Sequence, residues 1–307
     1  MNQRPTVTVV GSFNTDLVVH TPRMPVKGET ILGGPYHTGP GGKGANQAVA
    51  AARLDADVAM LVKLGQDDLG DKAEANLRNE GISTEYVLRT DASHTGVAFI
   101  IVDEDGENMI VVAPGANTLL TPEDVDAARD AIIEADILLV ELESPMETVE
   151  RAIRVAHEAG VRVLLNPAPG QPLDAGLLTM VDVLTPNETE AEIITGRSVR
   201  SIDEAEAAAR QLLDTGVGVV IITLGAKGAL IVTEEGTQHA PGHKVDVVDT
   251  TGAGDAFNGA LAVALAEGQP LADAVAFANV AAALQVTKLG TAPAMPYRDE
   301  VEAALEA

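Results

Sequence analysis

The sequence predicts an α/β fold, a three-layer α/β/α body built on a mostly parallel central sheet, with a small β sheet added as a lid. Three observations predict it. From Thr121 onward, short β-branched runs alternate with alanine- and leucine-rich segments of helical length, and such alternation means parallel strands joined by crossover helices. The apolar runs near residues 14–38 and 95–113 have no helix between their members, so they are expected to form a separate small sheet. No repeat, low-complexity tract or linker interrupts residues 1–307, which are read as one α/β domain carrying the lid.

In chain order, Thr6 to Val10 is the first buried strand, followed by Gly11-Ser12-Phe13-Asn14-Thr15-Asp16. Leu17 to His20 and Thr30 to Tyr36 are read as lid strands, and Gln47 to Leu54 as a helix after the turn Gly39–Asn46. Val58 to Val62 is a strand and Asp71 to Glu80 a helix opened by the acids Asp67 and Asp68, which carry no chemistry. Thr95 to Val102 and Asn108 to Ala113 flank the turn Asp103-Glu104-Asp105-Gly106 and read as a hairpin. Thr121-Pro122 starts a helix. Strands follow at Ile137–Glu141, Val161–Leu165, Val181–Leu184 and Val217–Thr223, with helices at Glu147–Ala159 and Asp203–Thr215. Ala229–Thr233 and the segment around His239 read as an edge hairpin, and Val245–Val248 as a last strand. Ala256–Ala266, Leu271–Thr287 and the tail Tyr297–Ala307 are predicted helices.

Composition limits the function. The chain is 46% hydrophobic but only 2% aromatic, with no Trp, so Ala, Val, Leu and Ile must fill the core. No apolar run reaches the ~18 residues of a membrane span. Met1 to Pro5 leads straight into a strand without a signal-peptide pattern, and a cytoplasmic location is expected. There is no cysteine, which removes disulfides and thiolate metal sites. The formal net charge is −26; such a surface repels nucleic acid and anionic membranes, so neither is an expected partner. Adaptation to a high-salt cytoplasm is one reading of that charge. The histidines at 20, 37, 94, 157, 239 and 243 show no metal-binding spacing.

The chemistry is expected at Asp249-Thr250-Thr251-Gly252-Ala253-Gly254-Asp255. Gly252 and Gly254 remove side chains where a helix begins, so unpaired amides and the helix dipole can receive an anion. Asp255 stands in the first turn of that helix. A carboxylate beside a bound phosphate is placed to take a proton from an attacking hydroxyl. A second glycine turn, Gly39-Pro40-Gly41-Gly42-Lys43-Gly44-Ala45-Asn46, formally matches G-x-G-x-x-G. It does not read as a dinucleotide site, because the following strand ends in Lys63 rather than an acid, nor as a Walker loop, because Gly44 follows Lys43. A glycine loop with a cation and an amide, Lys43 and Asn46, remains. Asn14, Asp16, Glu143, Asn187, Glu190, Gly225 and Asp255 all fall just after predicted strands, where open α/β sheets bind ligands.

Asp249 to Gly259 strongly resembles the C-terminal signature of the ribokinase-like, or PfkB, carbohydrate kinases, and Gly41 to Asn46 resembles their N-terminal signature. Asn14-Thr15-Asp16, Glu143-Ser144-Pro145 and Thr185 to Glu190 extend the resemblance over essentially the whole chain. It implies a ribokinase-like fold and ATP-dependent phosphorylation of a sugar, with the 5-hydroxyl of D-ribose foremost. Deoxyribokinase, fructokinase and nucleoside kinase are the alternatives within the family, and a silent sugar- or nucleotide-binding regulator lies outside it. Asp255 is then the catalytic base, kept ionised by its helix start, and Gly252, Ala253 and Gly254 offer amides to the γ-phosphate. Asn14, Asp16, Gly42, Lys43, Asn46 and Glu143 hold the sugar with Asp255. Thr223, Gly225, Gly228, Gly254 and Asn279 border the nucleotide, and Asn187 and Glu190 meet its phosphates and a water-coordinated Mg²⁺. Asp249, Thr251, Gln285, Lys288, Gly290 and Ala294 match a monovalent cation (K⁺) site, with Ala294 standing where a hydroxyl is common in the family. The lid, apolar through Val18, Ile31, Leu32, Val97, Phe99 and Ile101, is expected to pair in a homodimer and to exclude water from the transfer.

Overall fold

The computed structural model describes residues 4–306. The expectations for Met1 to Gln3 and for Ala307 lie outside them. Thirteen strands form two sheets. In chain order they are β1 (Thr6–Val10), β2 (Asn14–His20), β3 (Tyr36–Gly41), β4 (Asp57–Gly65), β5 (Val87–Thr90), β6 (Gly96–Val102), β7 (Asn108–Ala113), β8 (Ile137–Val140), β9 (Arg162–Leu165), β10 (Val183–Leu184), β11 (Val219–Thr223), β12 (Ala229–Thr233) and β13 (Gly236–Ala240). The large sheet runs β13-β12-β11-β10-β9-β8-β1-β4-β5. It is parallel from β5 to β11 and antiparallel only at β12 and β13.

Ile137-Leu138-Leu139-Val140 shows why its middle is parallel. Every residue is buried, and successive side chains enter opposite cores: Ile137 and Leu139 in one, Leu138 and Val140 in the other. A strand covered on both faces must be apolar throughout. Helices Lys43–Arg53, Ala253–Ala266 and Leu271–Gln285 pack one face; helices Met146–Ala159 and Ile202–Leu213 pack the other. With so few aromatic residues, these helices approach closely through alanine and glycine. A Cβ on Gly259 would stand 2.6 Å from Ala50 Cβ and 2.7 Å from Gln47 O. This contact lays helix Ala253–Ala266 against helix Lys43–Arg53 and brings the two glycine turns together.

The second sheet has the order β3-β2-β6-β7. Its central pair, β2 and β6, is parallel, with helices Lys43–Arg53 and Asp68–Asn79 in the long connection between them. Four sequence expectations are corrected. Thr30 to Tyr36 is not a strand; residues 30–35 are irregular and β3 begins at Tyr36, so Gly39 and Gly41 lie within a strand rather than a turn. Val245 to Val248 is an exposed irregular segment, with Val247 and Val248 more than half accessible. β-branched residues there read as a strand, yet no neighbouring strand is available to pair with them. The face expected to be apolar is also divided. Val18 lies on the same face as Asp16, whereas Phe99 and Ile101 lie on the opposite one by register. Val97 is buried, and Leu32 projects from a loop. Strand β5 was not anticipated, and Asn14 and Asp16 open β2 instead of preceding it. Among the described residues no helix is long and apolar enough to cross a membrane.

Candidate active site

Helix Ala253–Ala266 begins at Gly252, whose φ of 89° is the left-handed conformation that glycine adopts without strain. No side chain caps this helix. Ala253 N–H turns back to Thr250 O at 3.3 Å, so that amide is partly engaged within the turn. Gly252 and Gly254 line the adjoining cavity. Asp255 is buried, and its two oxygens accept from Asn46 Nδ2 at 2.8 Å and Gln47 Nε2 at 3.1 Å. Burial pushes its carboxyl up; the Lys43 charge and the two amide bonds oppose this, and the balance stays above the ordinary aspartate value. The helix start therefore does not hold this acid in its ordinary range. A carboxyl shifted in this direction is a stronger proton acceptor when ionised.

The other glycine turn meets it. Gly42 has φ 88°, and a Cβ there would stand 2.6 Å from Asn14 N. Lys43 follows as the first helical residue. Burial alone would lower its pKa, but the carboxylates of Asp255, Glu143, Glu141 and Glu190 outweigh burial and hold the ammonium above its usual value. Glu143 Oε2 accepts from Ser12 Oγ and from Lys43 N at 3.1 Å. Asn14 is buried, its Oδ1 accepting from Asn117 Nδ2 at 3.0 Å. Asp16 accepts from Thr291 Oγ1 at 3.3 Å. Burial, and secondarily the charges of Glu143 and Asp255, push its carboxyl up to about 6 against the Thr291 hydrogen bond. The oxygen Asn46 Oδ1 is buried with no hydrogen-bond partner, a state that a ligand donor would relieve.

Several contributors carried no sequence signal of their own. Glu141, fully buried, accepts Ser12 N at 2.6 Å and Glu143 N, and burial, with the Glu143 charge second, raises its pKa. Gln47 joins Asp255 to Asn166 Oδ1, the latter at 3.0 Å. Asn117 clamps Phe13 through both the 2.9 Å and 3.1 Å bonds to its backbone. Asn166, just after a predicted strand, and Glu141, at the end of another, share the position of the other candidates, the one signal that could have found them.

Lys43 and Asp255 line one cavity of about 820 Å³. Small residues, Thr223, Gly225, Gly228, Ala282 and Ala283 among them, also line it. Gly228 has φ 92° and leaves no room for a Cβ, which would meet Ala240 O at 2.2 Å. Asn279 borders the cavity but its amide is tied to Ala240 O and Pro241 O, each at 3.2 Å. Asn187 and Glu190 also line the cavity while forming a reciprocal capping box for helix Glu188–Thr195. One Glu190 oxygen accepts Asn187 N at 2.8 Å, and burial raises its pKa. No cluster of three acids or histidines able to hold a metal occurs among the described residues. An acid and an amide suit an ion that keeps its waters and is anchored chiefly by phosphate.

Asp249, Thr251, Gln285 and Gly290 also converge. Asp249 accepts from Thr251 N at 2.9 Å and Gly290 N at 3.0 Å. Gln285 Nε2 donates to Thr251 O at 2.6 Å and Gly290 O at 3.0 Å. The carbonyls of Thr251 and Gly290, two of the positions matched to a monovalent cation, thus already meet an amide. Lys288 is turned outward to Glu300 at 2.8 Å, and Ala294 is buried without a side-chain oxygen to offer.

A glycine turn at a helix start, a buried acid and a large cavity on an α/β sheet suit a phosphoryl-transfer enzyme. The chain belongs to the pfkB family of carbohydrate kinases, whose model matches residues 4–298. It is 44% identical over 303 residues to a ribokinase of Haemophilus influenzae, covering 99% of both chains. It is 42% identical over 291 residues to a deoxyribokinase of Salmonella typhi, covering 94% and 95%. Among solved structures, ribokinase from Thermotoga maritima superposes with a TM-score of 0.91 at 39% identity, covering 99% of this chain and all of that one. Arabidopsis thaliana ribokinase complexed with ribose and ATP gives 0.94 at 34% identity, with the same coverage.

Proposed function

We propose that this carbohydrate kinase moves the γ-phosphoryl group of ATP to the 5-hydroxyl of D-ribose, with Asp255 as the base. The observation that carries the reading is the placement of Asp255. It lines a cavity together with Lys43, whose charge is felt by Asp255, Glu143, Glu141 and Glu190, and the same cavity is lined by Thr223, Gly225 and Gly228. The corner of Asn14, Asp16, Gly42, Lys43, Asn46 and Glu143 suits a sugar, which presents donors and acceptors on every side. Asp255 takes the hydroxyl proton as the oxygen attacks phosphorus, and the ADP oxygen leaves on the far side. Gly252, Gly254 and, more weakly, Ala253 receive the charge that builds on the phosphoryl oxygens. Lys43 keeps its positive charge beside the acids. Thr223, Gly225, Gly228 and Asn279 shape the nucleotide end.

Asn187 and Glu190 would hold Mg²⁺ through water, and the ion would neutralise phosphate charge. We do not extend the reading to a required potassium ion, because the Gln285 amide already bridges Thr251 and Gly290. The four-stranded sheet serves as a lid paired with that of a second copy, its face of Phe99, Met109 and Val111 being half or more exposed. Work in the cytoplasm, where ATP and free sugars meet, completes the reading. Light scattering reads the pairing, and a monomer under assay salt contradicts it.

The relative named deoxyribokinase makes 2-deoxyribose the second substrate to weigh. ADP release measured with ribose, 2-deoxyribose, fructose and adenosine tests both. The highest kcat/KM is expected with ribose. A preference for 2-deoxyribose supports the second reading, and turnover of neither pentose contradicts both.

A further inference from the structure

Gln285 ends helix Leu271–Gln285 and is wholly buried. Its Nε2 is held 2.6 Å from Thr251 O and 3.0 Å from Gly290 O. It also lies 3.4 Å from where a Cβ on Gly252 would stand, so the amide rests against the first residue of the phosphate-binding turn. Asp249, beside it, has one oxygen on Thr251 N and the other on Gly290 N. Of the positions that the family resemblance matches to a monovalent cation, Asp249, Thr251 and Gly290 therefore already have oxygens supplied with N–H donors from this chain.

We infer that the side-chain amide of Gln285 takes the place of the monovalent cation, making Gln285 a positioning residue that fixes the Thr251–Gly252 turn without an ion. The chemistry fits the geometry. Two carbonyl oxygens pointing at one spot repel each other unless something positive lies between them. An ion does this with a full charge; an NH₂ group does it with two directed hydrogens. The orientation of the amide follows from its neighbours, because a reversed group would set Oε1 against both carbonyls. Oε1 instead faces away, buried and without a partner. Ala294 adds no hydroxyl that could draw an ion in.

This inference rests on the kinase reading, and its test separates the two. Rates with ribose, ATP and Mg²⁺ are measured in choline, sodium and potassium chloride at one ionic strength, and melting temperatures of the same protein are read in the same salts. The native chain should turn over about equally in all three and show no potassium-specific rise in Tm. Gln285→Ala opens the carbonyl group and should be slow in choline, with potassium restoring at least about fivefold and raising its Tm above that in choline. Gln285→Ser, smaller in its perturbation, should behave likewise if Gln285→Ala is too unstable to assay. Strong potassium activation of the native chain overturns the inference, as does a Gln285→Ala enzyme indifferent to the cation. If no salt supports kinase activity, the function reading fails, and the potassium-specific Tm of the variant against the native chain still decides the role of Gln285.

Discussion

The two sheets treat apolar residues in opposite ways. In the large sheet, β8 and β9 bury nearly everything, and Leu138, Leu139 and Leu164 have no accessible surface. In the small sheet, β7 leaves Met109 and Val111 on one face and Ile110 and Val112 on the other, all 45% exposed or more. The first sheet is a finished core that can hold Asp255 and Glu141 against desolvation. The second leaves apolar side chains accessible on both faces of β7, as the lid proposed above would before it is covered.

The contrast can be broken by substitution. Leu139→Ala should lower unfolding stability by about 2–5 kcal/mol, as cavities in close-packed cores do. Phe99→Ala, on the small sheet, should change monomer stability by about 1 kcal/mol or less and act instead on association. Denaturant melts of the two variants check this, and equal losses would erase the distinction drawn here.

Asp16, on β2 of the small sheet, feels the charges of Glu143 and Asp255, and its substitution sharpens the comparison. Asp16→Asn should cut kcat/KM for ribose by about 10- to 100-fold, the range of a lost charged hydrogen bond of roughly 1.5–3 kcal/mol. It should also raise stability near neutral pH. The sign follows from the shift of its carboxyl from 3.8 to about 6. The folded state holds this proton more tightly than the unfolded chain, so the ionised group disfavours folding above about pH 6, and Asn removes that penalty. A variant that loses sugar affinity and gains Tm fits; one that loses both does not.

The same shift predicts a pH effect. Protonation turns one acceptor oxygen of Asp16 into a donor and removes the charge that strengthens its bonds to sugar hydroxyls, so kcat/KM should fall as pH drops through about 6, while Asp16→Asn should lose that limb of the profile. The smallest expected effect concerns the surface. With a net charge of −26, repulsion should ease with screening, and the melting midpoint should rise by a few degrees between low and molar KCl. A flat or falling midpoint would remove the high-salt reading.

Much of this molecule could be read from its sequence, and the failures have causes. The alternation from Ile137 to Thr223 was legible because fully buried strands are unbroken apolar runs and their crossover helices end at glycine or at a turn. The two glycine turns were legible because positive φ at Gly42 and Gly252 excludes other residues. Val245 to Val248 misled because β propensity reports a residue that suits a sheet, not whether a partner strand exists. Glu141 was passed over because a strand-end acid looks solvated until Ser12, 129 positions away, is seen to donate to it. Gln285 was matched to a cation site by family resemblance alone, which cannot show that its side-chain amide donates to Thr251 O.

The central claim is that Asp255 accepts the proton of the attacking sugar hydroxyl. Asp255→Asn keeps the size of the side chain and removes the base. Single-turnover phosphorylation of ribose by this variant, with ATP affinity and the melting curve recorded alongside, tests it most directly. The transfer step should slow by about 10²–10⁴-fold while nucleotide binding and folding stay near the native values. A variant that transfers phosphate at close to the native rate would contradict the account.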